Sequence, residues 1–365
     1  MKQHLFELYK LFVERFFRVR TLGAQLLKSG IGLLIVLLGA DIAVRVVLKF
    51  GDFRLNIEGG TGGGLPGYIV STAFIVAGLM VVAGGLLMWR DERRERQKLL
   101  VVIEVRGLHS SPDAPARNAI RPSFRGQRHS VLVDFRPSLV GELVNPELML
   151  AKIKGMKLNL ESAVQGRDMS DVSVAVGGVA AVPGMFYIGM RLDDESRFEL
   201  FDWNRDLKSW KAIDGLDDGN RPLTLSIPPI SLGLSEVVLA VSASYLVDES
   251  AVAASFPGLP VVRLSAKKIQ ANSYWSEDVQ QAFAAAFRNI VQELLGRHIK
   301  RIHLVLAAPA SLTVRLGATY DERLHPELVV YQYERSSTPP YPWGIVLPHH
   351  GSPEPGVLRT RSTIA

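Results

Sequence analysis

The sequence predicts an α/β protein made of two tandem strand-and-helix units with mostly parallel sheet, preceded by a two-helix membrane hairpin. Three observations carry this reading. Two long apolar stretches, residues 29–48 and 65–89, stand near the N-terminus. After them, short β-branched runs alternate with amphipathic helical patterns, the signature of helices covering a parallel sheet. That alternation occurs twice with matched spacing.

Residues 1–28 come first. Leu5, Phe6, Leu8, Tyr9, Phe12, Val13, Phe16 and Phe17 recur at helical spacing among Lys, Glu and Arg. The pattern predicts an amphipathic helix in the cytoplasmic interface, or alternatively one packed on the soluble part. Each apolar stretch then has the length, at about 1.5 Å of rise per residue, to cross a hydrocarbon core of roughly 30 Å. Lys2, Lys10, Arg15, Arg18, Arg20 and Lys28 precede the first span, and residues 90–98 after the second are again rich in Arg and Lys. The intervening loop is short, nearly neutral and glycine-rich over 59–64. The positive-inside rule therefore puts both termini and the soluble part in the cytoplasm. Asp41 and Arg45 lie four residues apart on one helix face, either lining a bundle interior or resting near the outer headgroups. Small residues at four-residue spacing, Gly39/Ala43 and Ala73/Ala77, would let the spans approach closely.

The chain thus divides into an N-terminal segment (1–28), a hairpin (29–89), a charged linker (90–98), an α/β domain (99–350, halves about 99–230 and 231–350) and a tail (351–365). In the first half a strand over 172–176 ends in Gly177-Gly178. A helix with Pro183, Met185, Phe186 and Gly189 follows, then a strand over 198–203 and Trp210. The second half repeats this: strand 302–306, Ala307-Ala308, then Pro309, Ala310, Ser311, Leu312 and Gly317, strand 327–333 and Trp343. Gly189 precedes Glu199-Leu200 by ten residues, and Gly317 precedes Glu327-Leu328 by the same ten. Strands over 131–135 and 237–243 are read as opening the two halves, with long helices over 146–165 and 276–297. In the latter, Val279, Phe283, Phe287, Ile290, Val291 and Leu294 form a core-facing stripe. Ligands of open α/β sheets sit beyond the carboxyl ends of the strands, so paired units would share one composite pocket.

Composition and motifs restrict the chemistry. The chain has no cysteine, which excludes thiol catalysis, disulfides and Cys-based metal sites. There is no GxxxxGK[ST] loop, strand-borne GxGxxG, HExxH or nucleophile elbow. His298 and His303 straddle a helix-to-strand junction and read as structural, and His349-His350 sits in a Pro-rich segment. No metal or cofactor is expected. The formal charge of +6 suits an anionic ligand.

The stretch 302–317, Ile-His-Leu-Val-Leu-Ala-Ala-Pro-Ala-Ser-Leu-Thr-Val-Arg-Leu-Gly, followed by Glu-Leu-Val-Val-Tyr-Gln-Tyr over 327–333, resembles the end of a SAVED domain. The resemblance extends over residues 98–350. In the first half Gly177-Gly178-Val179-Ala180 replaces the Ala-x-Pro-Ala run. SAVED domains are fused pairs of CARF-like Rossmann units that sense cyclic oligonucleotides in CBASS anti-phage defence. A membrane hairpin ahead of one is similar to the two-transmembrane-helix effectors of those systems. The resemblance implies a non-enzymatic effector that binds a cyclic di- or trinucleotide made by a partner synthase, forms a homo-oligomer and disrupts the bilayer in abortive infection. A membrane-anchored enzyme degrading the messenger, and a passive ligand-dependent tether, are the alternatives. For such a ligand, backbone amides at the junctions 177–180, 242–244 and 308–311 suit phosphates, with Gly178, Ser242, Ser244, Ala308, Pro309 and Ser311 as the candidates. Phe135, Arg136, Trp203, Arg205, Tyr274, Trp275, Tyr333 and Arg335 lie near strand ends where they could stack on bases or meet phosphates. Trp203 and Tyr333 read equally as core, and Ser311 equally as a helix cap.

Overall fold

The computed structural model describes residues 21–38, 46–50, 53–57, 67–109, 111–139, 142–192, 198–216, 223–231 and 233–360. It divides into two compact units, Met1–Gln97 and Lys98–Ala365.

In the first unit, helix α1 (Leu22–Leu38) is followed by strands β1 (Val46–Phe50) and β2 (Phe53–Ile57) and by the long helix α2 (Gly67–Gln97). α1 and α2 pack antiparallel through small residues. A Cβ on Gly23 would meet Leu87 and Met88, one on Gly30 would meet Val81 and Ala77, and one on Gly84 would lie 2.5 Å from the Leu27 amide. Close backbone approach of this kind is how helices associate in lipid. Ala77 is fully buried at the contact, as its spacing suggested, but Gly23, Gly30 and Gly84 supply the rest. Ile35, Ile75, Leu79, Val82 and Leu86 are exposed, an apolar surface that favours lipid over water. Arg93 stacks 5.6 Å from the Trp89 ring centroid, a pairing suited to the headgroup region.

The expected continuous span over 29–48 is corrected. α1 begins at Leu22 and ends at Leu38, and Val46–Phe50 pairs antiparallel with Phe53–Ile57, from Val46↔Ile57 to Phe50↔Phe53. The local sequence fits a strand, since Val46 and Val47 are β-branched. Among the described residues one helix, within α2, is long and apolar enough to cross a membrane, and the 17-residue α1 falls short of that measure. Asp41, Arg45, Gly39, Ala43 and the aromatic positions of the amphipathic segment lie outside the described residues. The expected linker over 90–98 is helical as far as Gln97, because its Glu and Arg residues favour helix and Glu92 pairs with Arg96 at 2.8 Å.

The second unit holds two sheets among its described residues. The first half runs β3 (Leu99–Arg106), α3 (Ala116–Ala119), β4 (Gln127–Asp134), α4 (Pro146–Val164), β5 (Val172–Val179), α5 (Val182–Leu192), β6 (Phe198–Asn204) and β7 (Ser209–Ala212). The second runs β8 (Leu223–Ser226), β9 (Glu236–Ser242), α6 (Glu249–Ser255), β10 (Val261–Ala266), α7 (Glu277–Gly296), β11 (Arg301–Ala307), α8 (Ala310–Gly317), β12 (Glu327–Gln332), β13 (Trp343–Val346) and β14 (Gly356–Arg359). The five-stranded sheet has the order β4-β3-β5-β6-β7, and the seven-stranded sheet β14-β13-β12-β11-β9-β10-β8. Their centres match strand for strand: β4-β3-β5-β6-β7 corresponds to β10-β9-β11-β12-β13, parallel throughout except for the last strand of each. The first half therefore opens with β3, not with the strand near 131–135, which is β4 and second in order. β3 is buried along almost its whole length, so it shows the continuous apolar run of a central parallel strand rather than alternation. β14 extends the second sheet into the expected tail.

The halves meet where α5 crosses α8. A Cβ on Gly189 would fall 2.0 Å from the Val314 carbonyl oxygen, and one on Gly317 would fall 2.0 Å from that of Phe186. The contact is reciprocal, since each glycine sits against the residue three positions before the other, and only hydrogen at Cα lets the backbones approach so far. Phe186 and Phe287 pack edge to face at 6.1 Å beside it. The expected stripe on α7, from Val279 to Leu294, is buried as its periodicity implied.

Candidate ligand cleft

A cleft of about 610 Å³ opens where the carboxyl ends of β5, β6, β9 and β11 converge. Its walls come from both sheets. Val179, Ala180, Trp203 and Arg205 belong to the first half, and Ser244, Tyr245, Trp275, Ala308 and Pro309 to the second. The first residues of α5 and α8, Val182 and Ala310, also line it. Strand ends and helix N-termini thus meet as in other open α/β sites.

Two tryptophans frame the opening. Trp203 packs edge to face on Trp210 at 5.4 Å, and the Trp210 Nε1 donates to the Ala114 carbonyl at 3.0 Å. Trp275 donates from Nε1 to the Asn272 carbonyl at 2.9 Å, with Lys211 Nζ 4.8 Å from its ring centroid. The loop carrying Trp275 is tied to the first sheet: Asn272 Nδ2 donates to Asp206 Oδ2 at 2.6 Å, and the Gly215 amide to the Trp275 carbonyl at 2.7 Å. Asn272 and Tyr274 adopt φ of 55° and 69°, uncommon for residues with a Cβ. Such conformations persist where surrounding contacts hold them.

At the floor lies Asp202, at the end of β6. Its Oδ2 accepts from the Ser311 amide (3.1 Å) and the Ser311 hydroxyl (2.9 Å), and its Oδ1 accepts from the Trp203 amide (2.8 Å). Burial pushes the Asp202 carboxyl up, against the lowering effect of these bonds. Behind it, Gln280 Nε2 donates to Ser311 Oγ at 2.9 Å and to the Tyr274 carbonyl at 2.8 Å, while Arg315 Nε donates to Gln280 Oε1 at 3.1 Å. Across the cleft, Gln332 at the end of β12 accepts from the Val182 amide at 3.1 Å. A strand-end side chain of each half therefore caps the helix of the other. Ser244 is 6% exposed and its hydroxyl has no hydrogen-bond partner among the described residues.

Of the residues singled out in the sequence, the fold brings Trp203, Arg205, Ser244, Trp275, Ala308 and Pro309 into this cleft. Ser311 stands directly behind it, spent on Asp202. The others do not line it. Phe135 is 2% exposed in the core, and Gly178 is buried where a Cβ would meet Val105 at 2.6 Å. Arg136 is paired with Asp134 at 2.7 Å, whose carboxyl the bonds and charges of Arg136 hold below the usual range against the opposing effect of burial. Ser242 accepts from the Val247 amide at 3.0 Å and faces a separate cavity of about 320 Å³. Tyr274 is fully buried, packed edge to face on Phe283 at 5.9 Å. Tyr333 packs on Tyr341 at 5.4 Å and, with Arg335, lies exposed beyond β12. Asp202, Asp206 and Asn272 were missed. Asp202 had a signal, a lone acid beside Trp203 at a strand end, whereas the other two enter only through tertiary contacts. Among the described residues no group of three or more His, Asp or Glu side chains is placed to hold a metal.

Residues 157–347 match the SAVED model, described as "SMODS-associated and fused to various effectors sensor domain". Residues 2–150 match the model described as "SAVED-fused 2TM effector domain". Among solved structures, the Acinetobacter baumannii Cap4 SAVED/CARF-domain containing receptor with the cyclic trinucleotide 3'3'3'-cAAA is similar at 9% identity and a TM-score of 0.46, over 74% of this chain and 59% of that one. The same receptor with 2'3'3'-cAAA gives 10%, 0.44, 73% and 57%. The Moraxella osloensis Cap4 receptor gives 11%, 0.40, 74% and 57%. The chain thus spans less than two thirds of the length of these receptors. No curated protein matches it.

Proposed function

The chain belongs to the SAVED family of sensor domains, and from that premise we propose that it is a membrane-anchored receptor for a cyclic oligonucleotide second messenger. The ligand occupies the cleft between two CARF-like Rossmann units. The observation that carries this reading is the cleft itself. It joins strand ends from two sheets of matching order, and it presents flat indoles, a cation and helix N-termini, which are what a ring of bases and phosphates needs. Arg205 meets phosphate, and Trp203 and Trp275 stack on bases.

The match to a SAVED-fused 2TM effector domain supports membrane association of the N-terminal unit. In this reading α2 spans the inner membrane and α1 completes a two-pass hairpin with both termini cytoplasmic. Ligand binding orders the paired units and promotes head-to-tail stacking, a heterologous contact that propagates. Clustered hairpins then breach the bilayer and abort phage infection, with the messenger supplied by a cyclic-oligonucleotide synthase.

The test is dye release from liposomes carrying the full-length chain, with cyclic di- and trinucleotides added singly. Release with one ligand and none without it is the expected outcome. Ligand binding without release leaves a passive tether, and consumption of the ligand identifies a degrading enzyme.

A further inference from the structure

We propose that Asp202 sets the base specificity of the cleft, accepting a hydrogen bond from a nucleobase N–H and keeping phosphate away from the α8 N-terminus. The inference rests on the cyclic-oligonucleotide reading above and goes on to assign the poles of the site. At α8 the amide and hydroxyl of Ser311 both point to Asp202 Oδ2, so the place an anion would take is filled by the protein's own carboxylate. A phosphate there would stand beside a like charge. At α5 the Val182 amide is held by the neutral amide of Gln332, whose side chain also meets that of Glu334, so the group on the helix amide itself is uncharged and a phosphate can compete for it. Arg205 is a cation of the cleft lining whose charge also reaches Asp202, so a phosphate held by Arg205 and the α5 amide leaves the Asp202 carboxylate itself to face a base.

The carboxylate then needs a different partner. The three donors on Asp202 favour its ionised form against the effect of burial; an ionised carboxylate offers about four acceptor sites, and the Ser311 amide, the Ser311 hydroxyl and the Trp203 amide use three of them. A ligand that covers Asp202 strips water from the last acceptor and must bring a donor to replace it. Trp203, next in the chain, supplies the face on which a base would stack at that position. Adenine, cytosine and guanine carry an exocyclic amine to offer. Uracil presents its single N–H between two carbonyl oxygens, which the carboxylate repels. Sites that hydrogen-bond a polar group reject analogues lacking it far more strongly than apolar pockets reject a missing methylene. The ligand class is therefore a cyclic oligonucleotide with an amine-bearing base at the Asp202 end.

The experiment is calorimetric titration of the full-length chain in detergent with cyclic di-, tri- and tetranucleotides of adenine and of uracil. The analogue of the best-binding adenine ring that lacks the 6-amino groups is included. The parent should prefer amine-bearing rings by about tenfold or more. In Asp202→Asn the carbonyl oxygen remains with the Ser311 donors and the NH₂ takes the place of Oδ1, giving up the Trp203 amide bond and offering the ligand a donor, so that preference should collapse and uracil rings should bind more tightly than to the parent. An unchanged base ratio in Asp202→Asn overturns the proposal, including the case where every ring binds uniformly tighter, which would make Asp202 a charge gate alone. Should the variant fail to fold, the parent decides: equal affinity for the adenine ring and its deamino analogue overturns the assignment. If no cyclic oligonucleotide binds the parent at all, the sensor reading falls and takes this one with it.

Discussion

Arg205 brings positive charge to a cleft that also holds the carboxylates of Asp202 and Asp206. Arg205→Ala should weaken ligand affinity by about 1.5–3 kcal/mol, the worth of a charge-assisted hydrogen bond, as read by calorimetry. Arg335→Ala should leave affinity unchanged, because Arg335 lies exposed beyond β12 and outside the cleft. Both arginines follow an aromatic residue at a strand end, and the pattern alone could not separate them. What separates them is the α5–α8 crossing, which decides which strand ends face the shared opening. His303 was read as structural, and it is buried between Glu236 Oε2 and the Tyr331 hydroxyl, 2.9 Å from each. Burial holds its imidazole below the ordinary 6.5, outweighing the opposing effect of Glu236. Protons then bind the unfolded chain first, so this contribution to stability is complete above that value and is lost as pH falls below it. The unfolding midpoint should drop on acidification from pH 7, and His303→Gln should flatten that slope. An identical slope in the variant would assign the titration elsewhere, for example to His325, which burial also lowers.

At the scale of elements, the reciprocal contact of α5 with α8 makes a sharp prediction. Gly189→Ala or Gly317→Ala places a methyl group against a backbone carbonyl of the opposite helix. Each should cost about 1–3 kcal/mol in denaturant unfolding, the range for over-packing a tight contact. A variant as stable as the parent would mean the helices do not meet there. The ten-residue spacing from each glycine to the next strand was legible in the chain, and it located the repeat. That the two glycines touch was not legible, because nothing local distinguishes a glycine in a crossing from one in a helix end. β3 was missed as the opening strand because its run Leu99-Leu100-Val101-Val102-Ile103 abuts a charged segment and lacks alternation. The first membrane stretch was misplaced for a related reason. Hydropathy weighs composition, whereas Val46–Phe50 is set by its pairing with Phe53–Ile57.

On the scale of the whole molecule, the assembly reading predicts that the full-length chain in detergent grows in mass by light scattering when its cyclic oligonucleotide is added. A mass that stays constant at saturating ligand would remove clustering while leaving recognition in place. The match of strand order between the halves was legible only in outline, since the five matched strands of each sheet cannot be paired from periodicity. The two caps on the cleft, Asp202 at one helix and Gln332 at the other, carry a consequence of their own. A pocket assembled from two identical subunits shows the same face twice and offers both halves of a ligand the same groups. Here both faces are encoded once each in a single polypeptide, so one helix can be capped by an uncharged side chain and the other by an acid. Such a pocket has a direction. It can tell a ring of unlike nucleotides from a uniform one, and one orientation of that ring from its reverse. Its formation does not depend on how many copies of the chain the cell contains.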